Sequence, residues 1–138
     1  MRQSGKILAA ILERLRKEIR AGINTGYLDK IMADEAKRRK VKPSFKGYQG
    51  FPANLCVSVN DEIVHGIPGE RVLREGDIVS LDVGVIFKGF HSDAAVTVGV
   101  GKISRQAGKL LTATEKCLQL GIAEAKPRAH LGDISAAI

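Results

Sequence analysis

Cysteine is nearly absent: Cys56 and Cys117 are the only two in 138 residues. No Cys-x-x-Cys pair exists, which excludes a structural zinc site of that type and leaves no disulfide framework. Two free thiols suit a reducing cytosol. No apolar run approaches the ~20 residues of a membrane span. The N-terminus lacks an apolar h-region and a small-residue cleavage site, so export is not expected.

Acidic residues are in the minority, 15 Asp and Glu against 22 Lys and Arg, for a formal charge of +7. This balance favours acidic partners, RNA among them, without identifying one. The basic residues are dispersed. Arg14, Arg16, Lys17 and Arg20 share one predicted helix, and Lys37 to Lys40 end another. Helix polar faces and C-termini collect such residues without any ligand. The length suffices for one compact domain with a core.

Ile7, Leu8, Ile11, Leu12, Leu15 and Ile19 recur at helical spacing, with Gly22 as a stop signal. Thr25 is a candidate cap for a second helix carrying Leu28, Ile31, Met32 and Ala36. Pro43, Gly47, Gly50 and Pro52 mark an irregular segment. Leu55 to Val59 and Glu62 to His65 flank Asn60-Asp61 as a predicted hairpin. Ile78 to Phe87 and Phe90 to Val100 flank Lys88-Gly89 as a second, stronger one. Ser104 is a candidate cap for a third helix with Leu110, Leu111, Cys117, Leu118 and Ile122 on its buried side. Pro127 ends it, and a further helix begins at Leu131. A shift of 106 residues aligns Leu12 with Leu118, Gly26 with Gly132, Leu28 with Ile134 and Met32 with Ile138. Helical amphipathicity alone also produces such matches. If the echo is real, a repeat covers residues 1–103 and a second one opens at 104–138, without its strands.

A turn at Lys88-Gly89 pairs Phe87 with Phe90, Gly84 with Asp93 and Asp82 with Ala95. Side chains alternate faces. Asp82, Gly84, His91 and Asp93 then share one face, and Val79, Leu81, Val83 and Val85 the other. Asp82 and Asp93 become diagonal neighbours about 7–8 Å apart at the backbone. Converging carboxylates repel unless they share a proton or a cation. Such a pair suits a two-metal site, a proton-sharing dyad, or a face that simply meets water. His65, in Val64-His65-Gly66-Ile67-Pro68, reads either as a structural hydrogen-bonding residue or as a catalyst. His91 shares the acidic face and is a candidate to ligate, to orient a ligand or to meet solvent.

Tyr48-Gln49-Gly50-Phe51-Pro52, the run from Cys56 through Asn60-Asp61-Glu62 and His65-Gly66-Ile67-Pro68, Glu75-Gly76-Asp77-Ile78-Val79, and Asp82 through Asp93 closely resemble type I methionine aminopeptidases. The likeness spans essentially the whole chain. Proline-directed aminopeptidases also carry paired Asp ligands but generally lack the His-Gly-Ile-Pro context.

The resemblance implies an α+β pita-bread fold of the creatinase/aminopeptidase type, with two similar halves around a dinuclear centre. It implies a single incomplete domain over 1–138: the first half and the opening helices of the second. Asp82 would ligate one metal and Asp93 bridge both, with His65 as the catalytic histidine. Tyr48, Phe51 and Cys56, with Phe45 a weaker candidate, would line a methionine pocket, where a thioether is well received by aromatic and sulfur-bearing walls. The cofactors implied are two divalent ions (Co, Mn, Fe, Zn or Ni), and a monovalent cation near Asn60. The partners implied are N-terminal methionine peptides of nascent chains in the cytoplasm, and the ribosome; no membrane or specific DNA partner is expected. The family's remaining ligands, one His in a Gly-His-Gly type motif and two Glu, have no counterpart in 104–138. The expected activity is removal of N-terminal methionine, with this chain inactive alone. The alternative is a non-catalytic ribosome- or RNA-binding relative.

Overall fold

Residue-for-residue pairing joins β3 (Ile78–Phe87) to β4 (Phe90–Gly99), with Asp82 opposite Ala95 and Gly84 opposite Asp93. This is the expected register. The other edge of β3 is shared end to end by two short strands. β2 (Cys56–Val59) pairs with Val79 to Asp82, and β1 (Lys42–Pro43) with Val85 and Ile86. The computed structural model describes all of Met1–Ile138, in two compact units, Met1–Ile103 and Ser104–Ile138.

In the first unit the apolar face of β3 is sealed. Val79, Leu81, Val83 and Val85 are fully buried with Leu8, Ile11 and Leu15 of α1 (Arg2–Arg16) and Leu28 and Met32 of α2 (Thr25–Arg38). Each such side chain contributes about 1.5–3 kcal/mol relative to exposure. Ser4, buried on the same face of α1, donates to the Phe90 carbonyl at 3.3 Å and shares a 2.8 Å hydrogen bond with the Ser92 hydroxyl. This contact docks the helix on β4.

Three details differ from expectation. α1 stops at Arg16 rather than near Gly22, because the chain turns where the Glu18 carboxylate binds Arg14, Arg20 and the Tyr27 hydroxyl. Asn24, not Thr25, caps α2, its side chain accepting from the Tyr27 amide at 2.9 Å. No hairpin forms at Asn60-Asp61. The amide of Val57 instead donates to the Gly66 carbonyl at 2.9 Å, while Ile63 and Val64 remain exposed. Gly66 wins that place because a Cβ there would lie 2.2 Å from the Val57 carbonyl oxygen.

The second unit is α3 (Arg105–Glu124) with α4 (Leu131–Ala137). Ser104 caps α3 as expected, accepting from the Ala107 amide at 3.1 Å. α4 packs over Gly121, where an added Cβ would meet the side chain of Ile138 at 2.9 Å. The expected buried stripe is not realised: Leu110, Leu118 and Ile122 are each more than half exposed. An amphipathic pattern states only which face seeks cover, and two helices alone offer little.

Glu18 supplies a pH test. Its partners, Arg14 first and then Arg20 and Tyr27, hold its carboxyl down to about 2. A depressed carboxylate stabilises the fold above its unfolded value and loses that contribution as pH falls through the folded one. The urea midpoint of wild type will therefore fall more steeply from about pH 4.3 down to about 2 than that of Glu18→Gln, with a constant gap above pH 5.

Candidate metal and substrate pocket

The site grows from the gap between β1 and β2. The chain leaves the sheet edge after Pro43, opposite Val85, and returns at Cys56, opposite Asp82. Gly84 lies between these pairings. Its carbonyl accepts from the Ser44 amide at 2.9 Å. A Cβ on Gly84 would stand 2.7 Å from the Phe45 ring and 2.9 Å from the Ser44 Cβ. The missing side chain is what lets Ser44 and Phe45 cross the sheet here. Phe45 then meets Phe51 edge-on, ring centroids 6.5 Å apart. The turn Tyr48–Gly50 between them is held by the Tyr48 amide on the Phe45 carbonyl and the Phe51 amide on the Tyr48 carbonyl.

This excursion walls a cavity of about 460 Å³. It is lined by Phe45, Tyr48, Phe51, Cys56, His65, Asp82 and Asp93, so the expected carboxylates, histidine and pocket walls reach one space. Gln49, Gly50, Pro52 and Ile67 also line it and were not anticipated. Their signal was adjacency alone: three interleave with Tyr48 and Phe51, and Ile67 is two residues past His65. His91 does not line the cavity. It sits opposite Ile86, exposed, near the turn end of the hairpin. The Asn60 side chain is committed elsewhere, donating to Asp77 at 2.9 Å and accepting from the Ile78 amide at 3.0 Å.

Burial pushes the Asp82 carboxyl up, the Asp93 charge pushes it further, and His65 pulls it partly back. Cys56, buried beside Asp82, is driven up to about 11 by burial and then by both carboxylates. It therefore presents a neutral sulfur at ordinary pH, a wall rather than an anionic ligand. His65 has a positive φ of 59°, a conformation that costs a non-glycine residue about 1–3 kcal/mol. Such strain persists only where neighbours enforce it.

Two acidic oxygen donors beside each other, one destabilised by the other, suit a divalent cation in kind. They fall short in number, since no three His, Cys, Asp or Glu side chains are arranged so that they could hold one metal ion, and catalytic ions generally take three protein ligands.

This mixed sheet-and-helix chain, with a carboxylate pair and an aromatic-lined pocket on one sheet face, has the fold of a pita-bread half, as its likeness to solved methionine aminopeptidases shows. The family model described as Metallopeptidase family M24 matches residues 1–138, and the chain belongs to that family. It is 51% identical over 138 residues to methionine aminopeptidase 1 of Bacillus subtilis (strain 168), covering 100% of this chain and 56% of that protein. It is 50% identical over 135 residues to the methionine aminopeptidase of Clostridium perfringens, covering 98% of this chain and 54% of that one. Among solved structures, the methionine aminopeptidase of Thermotoga maritima superposes with a TM-score of 0.97 at 41% identity, over 100% of this chain and 56% of that one. The chain thus spans about half the length of the relatives it matches.

Two substitutions probe the site. Gly84→Ala will cost about 1–3 kcal/mol in urea unfolding through overpacking, and less in a Phe45→Ala background, where only the Ser44 Cβ clash remains. Asp82→Asn will raise the urea midpoint at pH 7, because burial and then Asp93 push this carboxyl up. A raised carboxyl destabilises the fold where it must ionise and not where both states are protonated, so the gain will shrink as pH falls toward the unfolded value of about 3.9 and be gone below it.

Proposed function

We propose that this chain supplies the substrate pocket and part of the metal site of a methionyl aminopeptidase acting on nascent proteins in the cytoplasm. The observation that carries the reading is the single cavity shared by Asp82, Asp93, His65, Cys56 and the Phe45, Tyr48 and Phe51 rings. The two unpaired thiols suit a reducing compartment, and no helix is long and apolar enough to cross a membrane.

In this reading Asp82 and Asp93 would hold divalent ions. Bound ions of this kind supply an activated water and polarise the scissile carbonyl. Phe45, Tyr48, Phe51 and the neutral Cys56 sulfur receive the methionine thioether. His65, held at the cavity in its strained conformation, hydrogen-bonds the substrate near the scissile amide. Hydrolysis is favoured where the second residue is small. A monovalent cation near Asn60 belongs to the same reading, with the Asn60 side chain already bound to Asp77 and Ile78.

Ribosome or RNA contact is the second reading. Lys37, Lys40, Lys42 and Lys46 are exposed and form no ion pair, whereas Arg38 and Arg39 share the single Glu35 carboxylate.

The test joins this chain, after Ile138, to the part of the Bacillus subtilis relative beyond the matched region. The chimera will release methionine from a Met-Ala peptide with Mn²⁺ or Co²⁺, and Asp82→Asn or Asp93→Asn will abolish release. The 138-residue chain alone will show little or none; efficient turnover by it, or a persistently inactive folded chimera, overturns the reading. RNA binding by the chain that weakens steeply with added salt, together with an inactive chimera, would favour the second reading.

A further inference from the structure

Two segments bring chemistry to the cavity from outside the hairpin: the one ending at Cys56 and the one following His65. Both are fastened to the same face of α2. The Asp29 carboxylate accepts the Asn54 amide at 2.6 Å through one oxygen and the Asn54 side-chain amide at 2.9 Å through the other. Asn54 is buried and lies two residues before Cys56. One turn earlier, buried Thr25 makes a reciprocal pair with Gly69: its hydroxyl donates to the Gly69 carbonyl at 3.2 Å and accepts the Gly69 amide at 2.9 Å. The Gly26 amide adds a 2.8 Å bond to that carbonyl, and the Thr25 amide donates to the Arg71 carbonyl at 2.9 Å.

Positions four apart lie on one helix face. Thr25 and Asp29 are thus a rigid two-point fixture 1.5 Å per residue along one rod, and neither lines the cavity. The fixture answers the strain at His65. From Gly66 onward the chain is pinned by the Ser58 hydroxyl accepting the Gly66 amide at 3.1 Å, and then by Thr25 at Gly69. Without the Thr25 hydroxyl, the Gly69 amide loses its partner and the segment after Gly66 is held at Gly69 by the Gly26 amide alone, so the restraint on the His65 backbone weakens. Asp29 acts on the other wall, since both donors of Asn54 end on its charge and set where Cys56 enters β2.

We infer that Thr25 and Asp29 are positioning residues of the pocket: α2 fixes the His65 and Cys56 segments against each other, Thr25 governing the catalytic histidine and Asp29 the side-chain wall. The division of labour rests on the methionine-pocket reading; the fixture itself does not.

The first arm uses the 138-residue chain. Asp29→Asn will accelerate iodoacetamide alkylation of Cys56 roughly tenfold relative to Cys117, the equivalent of one lost charged hydrogen bond. Thr25→Val will raise amide exchange at Gly66 and Gly69, and Thr25→Ser will restore protection. Leu8→Ala, destabilised in the core, controls for global unfolding and will reproduce neither local effect. If Leu8→Ala matches them, or the variants leave both readouts unchanged, the fixture is refuted. The second arm uses the chimera: Asp29→Asn will raise KM with kcat nearly kept, and Thr25→Val will lower kcat with KM nearly kept. Equal effects on both parameters from both variants refute the division. An inactive wild-type chimera refutes the functional reading instead, and the alkylation and exchange arm still decides the fixture.

Discussion

A slip of one residue between β3 and β4 would turn Leu81, Val83 and Val85 out toward the pocket and press Asp82 beneath α1. The observed register prevents both. It lets one strand serve two surroundings, an oily layer under two helices and a cavity that receives its carboxylate above. Burial of four consecutive inward side chains against Leu8, Ile11 and Leu15 holds that register firmly. The carboxylates inherit their shared face from it.

The cost of that arrangement is local. Asp82 ionises with difficulty beside Asp93, and His65 sits in a backbone conformation that a side chain resists. Both features lie at the cavity, while the unit beneath is well satisfied: Ser4 is bonded to β4, Glu35 to Arg38 and Arg39, and Asn54 to Asp29. Destabilised groups on a well-packed support are what a site that binds a cation and a substrate requires. Gly84 extends the same logic to shape, because the pocket wall occupies the volume that a side chain there would claim.

Much of this was legible in the amino-acid order. The Lys88-Gly89 turn, the pairing that follows from it and the caps of the long helices rest on local chemistry, and they appear as expected except for a one-residue shift of the α2 cap. Asp82 and Asp93 stand out from the hairpin register and His65 from its local sequence, Tyr48, Phe51 and Cys56 through motif likeness, and all line the cavity. The Asn60-Asp61 hairpin was misread because turn residues between apolar runs signal a reversal without saying what the second run will pair with. Gly66, flush against Val57, took that place. The stripe on α3 was misread for a related reason, since periodicity predicts a face but not its cover.

By itself, the sequence determined the alternation of faces along the central hairpin, and so which side would be core and which would carry acid, because side-chain direction in a strand depends only on position parity. The tertiary structure decided what meets that acidic face. The gap between β1 and β2, the crossing of Phe45 over Gly84 and the fastening of two distant segments to Thr25 and Asp29 join residues 25 to 44 positions apart. Contacts at that separation leave no period in the chain, since they depend on where packed elements stop and what space they leave.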